Sequence, residues 1–500
     1  MSATVIGLEA KLIHVEVHFS KGKSRFYIVG LPDKACSESK ERVTAIIKNY
    51  LGHRLPAGTF TVNLSPADIM KTGPVYDLPI TIGILDCLGM ISFNPQYKLL
   101  IGELSLDGKT HHTNAILPIA DLARRRKIKE IYIPQINSKE ASLIPDIDII
   151  PVKNLCQLIN HINNKKSISK YNKTKDRLHN DSKHSSYDMS LIKGNEHAKR
   201  AIEIASTGSH NMLMVGPPGS GKTLLARTIP TILPTITIEE SLEITKIYSV
   251  AGLLSKKNNS IKTRPFRKPH HTTSHVALVG GGTIPKPGEI SLAHRGILFL
   301  DEFSEFSNRA IEALRQPLED GTITISRAKG SLTFPAKIML VAAMNPCKCG
   351  WLGDGKHKCT CTPSEIIRYK KKISGPVLDR IDMRINVKRV EYNELNSNIE
   401  GTSSCLMKKN IQKARDIQLN RFKNLKIVSN SEMNQKEIKE FIHISKSSKN
   451  LLKKAMESIN LSARGYFRLQ KVARTIADLE SSYNIKKKHL AEALSFRIEE

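Results

Sequence analysis

The run GPPGSGKT, Gly216 to Thr223, lies between the apolar stretch NMLMV and the helix-forming LLARTI. Its G-x-x-x-x-G-K-T spacing is that of a phosphate cradle. Glycines let successive backbone N–H groups turn inward, Lys222 neutralises the β and γ phosphates, and the Thr223 hydroxyl meets Mg²⁺ where a helix begins. The whole loop (Gly216, Pro217, Pro218, Gly219, Ser220, Gly221, Lys222, Thr223) is therefore expected to hold ATP. A second run, GILFLDE, reads as a buried strand ending on two carboxylates, at the end where ligands collect in an open α/β sheet. Asp301 is expected to complete the Mg²⁺ shell and Glu302 to polarise an attacking water. Alone, such an acidic pair would read as an ordinary turn; beside the loop it points to ATP hydrolysis.

A third apolar run, IMLVAAMNP, ends on Asn345, a side chain suited to orient that water from a neighbouring strand. SGPVLDRIDMRI then places Arg380 between two aspartates. Two readings fit: an ion pair within the chain, or a finger for the γ-phosphate bound by an adjacent subunit. In LSARGYFRLQKVARTIADLE, Arg464, Arg468 and Arg474 follow a helical pattern, and Arg464 is the candidate phosphate sensor among them. Cys347, Cys349, Cys359 and Cys361 form two C-x-C pairs with His357 between them. Four thiolates so placed suit a tetrahedral structural Zn²⁺; reduced, packed thiols are the plainer alternative.

Positioning these groups calls for an α/β architecture. Residues 1–160 mix alternating runs such as HVEVHF with helical ones such as ESKERVTAIIKNYL, as in an α/β or α+β domain. Residues 161–187 are polar and basic, too poor in apolar side chains to fold alone, and read as a flexible linker. Across 188–394 strand-like and helical runs alternate, as in a parallel sheet flanked by helices, and 395–500 is helical to the end.

The 500 residues carry 77 Lys and Arg against 47 Asp and Glu, a net charge of +30, most of it after residue 187. That balance favours a polyanionic partner. No run reaches the roughly 18 apolar residues of a membrane span, and the start lacks the layout of a secretion signal, so no membrane association and a cytoplasmic location are expected.

The order of phosphate loop, LFLDE, asparagine, arginine and helical region resembles the AAA+ ATPases of the branch that contains magnesium chelatase and the MCM helicases. RPFRKPHHTTSHVALVGGGTIPKPGEISLAHRGILFLDE, LRQPLEDGTITISRA and AAMNPCKCGWLGD together resemble the ComM/YifB family. GELSLDGKTHHTNAILPIADLARRRKIKEIYIPQIN is similar to the domain that family shares with the proteolytic part of Lon. The resemblance implies an N-terminal Lon-protease-like (S5 domain 2-like) α/β domain, then an AAA+ P-loop NTPase core with a helical C-terminal lid. Lon proteases carry a serine after a Gly-Pro pair, where KTGPVYDLP has Val75; Ser65 and Ser92 lie outside the motif, so no peptidase is expected.

Two insertions are candidates to meet DNA in the pore of a ring. Lys268 to Ile290 carries Lys268, His270, His271 and Lys286, and TITISRAKGSLTFPAKI reads as a hairpin with Arg327 and Lys329 near its tip. The resemblance implies a homo-hexameric helicase that promotes branch migration on single-stranded or branched DNA, in recombination or natural transformation, alongside other recombination proteins. Two rivals remain open at this point: a protein-remodelling ATPase of magnesium-chelatase type, and a DNA-binding scaffold that uses ATP only to assemble.

Overall fold

Two alternating runs at the start of the chain pair as strands β1 (Ser2–Ile6) and β2 (Glu9–Lys21) in the computed structural model of the protein. The structure describes residues 1–52, 55–172, 187–254, 259–282, 285–327, 330–396, 401–459 and 462–497. With β3 (Arg25–Val29) and β4 (Gly58–Ser65) the first two strands form a sheet in the order β1-β2-β4-β3, antiparallel except for the β3/β4 pair. Phe60, Val62 and Leu64 of β4 are buried while their neighbours are not, the signature of a sheet with one face on a core. The helix Asp77–Cys87, DLPITIGILDC, is apolar on nearly every side and buries most of its length there. A second, parallel sheet joins β5 (Lys98–Leu100), β6 (Glu130–Pro134) and β7 (Asp148–Val152).

The chain divides into two compact units, Met1–His179 with Ile238–Lys262, and Asn180–Thr237 with Thr263–Glu500. The compact units depart from the expected boundaries at two places. The linker does not begin at residue 161: Ile168 is buried in the first unit's core, and the Tyr171 N–H donates to the Ile149 carbonyl at 2.8 Å. Lys170 also pairs with Asp148 at 2.7 Å, and the Ile168 N–H donates to His161 Nδ1 at 3.1 Å, specific contacts that composition does not register. The rest of that stretch, residues 173–186, lies outside the described residues.

The helix Ile238–Ala251, expected inside the 188–394 core, groups with the first unit. Lys246 pairs with Asp121 at 3.0 Å, and Ser249 Oγ donates to the buried Glu140 carboxylate at 2.6 Å. Burial raises the Glu140 pKa, and the Ser249 hydroxyl offsets part of that cost.

In the second unit, five strands run parallel: β8 (Met212–Val215), β9 (Phe266–Arg267), β10 (Ile297–Leu300), β11 (Met339–Met344) and β12 (Met383–Asn386). Their order is β12-β8-β11-β10-β9. Every residue of β10 and β11 is buried, which is why ILFL and MLVAAM read as unbroken apolar runs instead of alternating ones. Residues 395–500 stand apart in the sequence pattern but not in packing. The C-terminal part is helical as expected, yet it shares one core with the sheet. Leu469, Val472, Ala473 and Ile476 form an i, i+3, i+4, i+7 stripe on the helix Ala463–Leu479, in the same cluster as Met212, Phe299 and Val341. Among the described residues no helix is long and apolar enough to cross a membrane.

Candidate active site

Strand order assembles the site. Because β11 lies between β8 and β10, the C-terminal ends of these strands bring Asn345 between the glycine-rich loop and the Asp301/Glu302 pair. The loop leaves β8 at Gly216, where an added Cβ would sit 2.2 Å from the Val387 carbonyl oxygen, so only glycine lets the chain pass. Gly219 and Gly221 adopt φ of +76° and +89°, the left-handed region in which a side chain is strained. The loop then enters the helix Lys222–Ile232 with Gly221 at its N-cap.

Lys222 is buried, and its ammonium donates to the carbonyls of Gly216 at 2.6 Å and Pro217 at 2.8 Å, and to Asn345 Oδ1 at 3.3 Å. The buried Ser220 hydroxyl lies 3.4 Å from the same nitrogen. Burial pulls the Lys222 pKa down to about 8, with Asp301 opposing the shift. Thr223 Oγ1 donates to Asp301 Oδ2 at 2.9 Å. A hydroxyl and a carboxylate this close are oxygen donors of the kind that hard divalent cations take, so the residues present fit Mg²⁺.

Two side chains of the KPHH run complete the acid pair, and sequence reading placed neither there. Lys268 Nζ lies 2.9 Å from Asp301 Oδ2 and 5.1 Å from the centre of the Phe299 ring. Lys268, a DNA-contact candidate by its sequence, has its charge engaged with Asp301 at the nucleotide site. His271 Nδ1 lies 2.9 Å from Glu302 Oε2, and the rings of His270 and His271 are 4.2 Å apart. Glu302 has φ of +52°, a left-handed backbone uncommon for a residue with a side chain and concentrated at functional sites.

Arg380 and Arg464 do not join this cluster. They meet on a single carboxylate, Glu319, which accepts from Arg380 Nη2 through one oxygen and from Arg464 Nη2 at 2.6 Å through the other. The hydrogen bond from Arg380 is the main reason the Glu319 pKa is lowered. Arg380 is only 5% exposed; its Nη1 donates to the Pro376 carbonyl at 2.6 Å, and its buried Nε has no hydrogen-bond partner among the described residues. The single chain thus holds Arg380 in the intrachain ion pair that the sequence offered as one of two readings. Arg468 donates to the Arg380 carbonyl and to Asp382, both at 2.6 Å, and Arg474 pairs with Asp478 at 3.0 Å. Burial opposes ionisation of Asp382, but Arg468 and His210 outweigh it and hold the carboxyl well below its usual range.

The expected hairpin forms from Thr322–Arg327 and Gly330–Pro335, with Arg327 opposite Gly330. Lys329 lies outside the described residues, and only the backbone of Arg327 is described. Lys286 is exposed, on a two-residue bridge between Lys286–Pro287 and Gly280–Gly281. The sulfurs of Cys347, Cys349, Cys359 and Cys361 all lie within 4.8 Å of one another. Val75 packs partly buried between two apolar clusters of the first unit, and Ser65 Oγ donates to Glu16 at 3.3 Å.

Residues 188–395 match the family model for magnesium chelatase, subunit ChlI; residues 15–137 match that for subunit ChlI of Mg-chelatase, and 401–497 that for the ChlI C-terminal part. The chain is 41% identical to competence protein ComM of Haemophilus influenzae, over 99% of this chain and 96% of that one. It is 38% identical to YifB of Escherichia coli, over 98% and 95% respectively. A shorter match, 25% identical, covers 31% of this chain and 23% of the magnesium-chelatase 67 kDa subunit of Chlorobaculum parvum.

Proposed function

The chain belongs to the ComM/YifB family of magnesium chelatase-like AAA+ ATPases, and from that premise we propose that it is a ring-forming motor that spends ATP hydrolysis on moving DNA. The observation that carries the reading is the convergence of Lys222, Thr223, Asp301 and Asn345 at three adjacent strand ends. Lys222 and the loop N–H groups bind the phosphates, and Thr223 with Asp301 would hold Mg²⁺, which supplies charge neutralisation on the phosphate oxygens. Glu302 takes a proton from water, with His271 fixing its carboxylate, and Asn345 orients that water.

Arg380 completes the site from the neighbouring subunit, with Arg464 sensing phosphate. Both must exchange Glu319 for a phosphate oxygen, a like-for-like replacement of one anion by another. The net charge of +30 and the hairpin supply a sequence-independent hold on phosphodiester backbones. Branch migration in recombination or transformation is the task this combination serves, in the cytoplasm. The first unit acts as a Lon-like platform without peptidase activity, since Val75 cannot be a nucleophile.

Steady-state ATPase rates with and without single-stranded, duplex and branched DNA test the proposal. Stimulation that fades with salt is expected. No stimulation by any DNA under conditions where rings form would favour a protein-remodelling ATPase of the chelatase kind.

A further inference from the structure

The cysteine cluster lies directly behind the nucleotide loop. Asn345 is followed by Pro346 and then Cys347, so the first C-x-C pair begins two residues after the side chain that meets Lys222. Sγ of Cys347 is 3.3 Å from that of Cys349 and 3.7 Å from that of Cys359, and Cys349 to Cys359 is 3.6 Å. Four sulfurs around one Zn²⁺ at about 2.3 Å are separated by about 3.8 Å at tetrahedral angles. The observed separations come close to that figure while the thiols remain unbonded to one another. The Cys349 N–H donates to Cys361 Sγ at 3.4 Å, a backbone donor aimed at sulfur of the kind that steadies a metal-bound thiolate. The connecting loop is closed by Trp351 stacked on His357 at 4.3 Å and by Asp354 on His357 Nδ1 at 2.8 Å. That histidine is thereby engaged with Trp351 and Asp354, which leaves the four thiolates as the donor set.

We propose that Cys347, Cys349, Cys359 and Cys361 bind one structural Zn²⁺, and that this metal clip braces Asn345, the phosphate loop and the acidic strand end against one another. The bracing contacts radiate from the knuckle. Gly350, at φ of +85°, lies so close to Pro218 of the loop that an added Cβ would come within 2.9 Å of Pro218 Cδ. After the second C-x-C pair, Thr362 and Glu365 form a capping box that starts the helix Pro363–Lys370. That helix delivers Tyr369, whose hydroxyl meets Ser304 Oγ at 2.6 Å, two residues beyond Glu302. The clip therefore touches all three strand-end loops of the site. Its bracing role rests on the nucleotide reading above; the metal site itself does not.

The test is metal analysis of reduced, tag-free protein, with Co²⁺ added to the apo form as a spectroscopic probe. About one zinc per chain and the intense visible bands of tetrahedral Co²⁺ thiolate are expected. Cys359→Ser with Cys361→Ser should lose both signals, and Cys405→Ser, an exposed cysteine elsewhere, should keep them. Zinc well below one tenth per chain together with no Co²⁺ bands in the reduced wild type would overturn the site, and that result does not require any variant to fold. Stripping zinc should raise KM for ATP and lower kcat; unchanged kinetics in zinc-free protein would overturn the brace alone. A chain that binds zinc and hydrolyses no ATP would refute the nucleotide reading and leave the metal site standing.

Discussion

The second unit contains two clusters of basic side chains facing acids, and they are built in opposite ways. At the nucleotide loop, Lys222 and Thr223, Lys268, and Asn345 come from three separate segments and converge on one another and on Asp301, with backbone carbonyls filling the remaining valences. At Glu319, two arginines share one carboxylate, and Arg380 leaves a buried Nε without a partner among the described residues. The first cluster is complete within one chain. The second is half satisfied, as a group would be that takes its final partner from elsewhere. If Arg380 acts in trans, as proposed, hydrolysis needs the two clusters at one phosphate, one from each of two neighbouring copies.

The largest effect expected from breaking the first cluster is at Lys222. Lys222→Ala removes the charge nearest the phosphates and should cut ATPase by on the order of 10²–10³-fold or more, measured at saturating ATP. Glu302→Gln should lower kcat by a comparable factor, on the order of 10²–10⁴-fold, while ATP still binds. A variant of that kind with a normal kcat would remove Glu302 from the chemistry.

The pH dependence sharpens the same cluster. In the free protein Lys222 loses its proton above about pH 8, whereas the phosphates of bound ATP favour the charged form. Below pH 8 affinity should be flat; above it, binding must take up a proton and affinity should fall by about tenfold per pH unit. Titrating Kd from pH 7 to 9.5 checks this, and Lys222→Arg should abolish the slope.

For the second cluster, Glu319→Gln leaves two guanidinium groups without their anion, one of them buried. A loss of about 1–3 kcal/mol in unfolding free energy is expected, while nucleotide affinity should hold or rise because the competing anion is gone. A smaller effect separates the two clusters functionally. Lys268→Ala should weaken basal ATPase by a few fold, about 1 kcal/mol, with or without DNA. Loss confined to the DNA-stimulated rate would return Lys268 to the DNA-contact role.

The residues legible in the sequence were those whose task is written in contiguous backbone. A glycine-rich loop, a buried strand ending in acids and a strand ending in asparagine each act through their own few residues, and the structure brings them together as expected. What stayed hidden depends on pairings across long separations. Glu319 reads as one more acid before a turn, yet it is 61 residues from Arg380 and 145 from Arg464. Lys268 and His271 sit in a loop whose glycines and prolines suggested an insertion facing the pore of a ring, and the parallel placement of β9 beside β10 sets that loop near Asp301 and Glu302. The helix Ile238–Ala251 has a run of residues that would suit either unit; Asp121 and Glu140, 125 and 109 residues away, decide it.

Mixing two inactive chains tests the central claim most directly. Lys222→Ala keeps its arginines and loses its pocket; Arg380→Ala keeps its pocket and loses the finger. If the finger acts in trans, an equimolar mixture should recover up to about a quarter of the wild-type ATPase rate, the share of interfaces in a randomly filled closed ring that pair an intact pocket with an intact arginine. Mixed rings that assemble and stay inactive, or an Arg380→Ala chain that hydrolyses ATP normally by itself, would contradict the division of the site between two subunits.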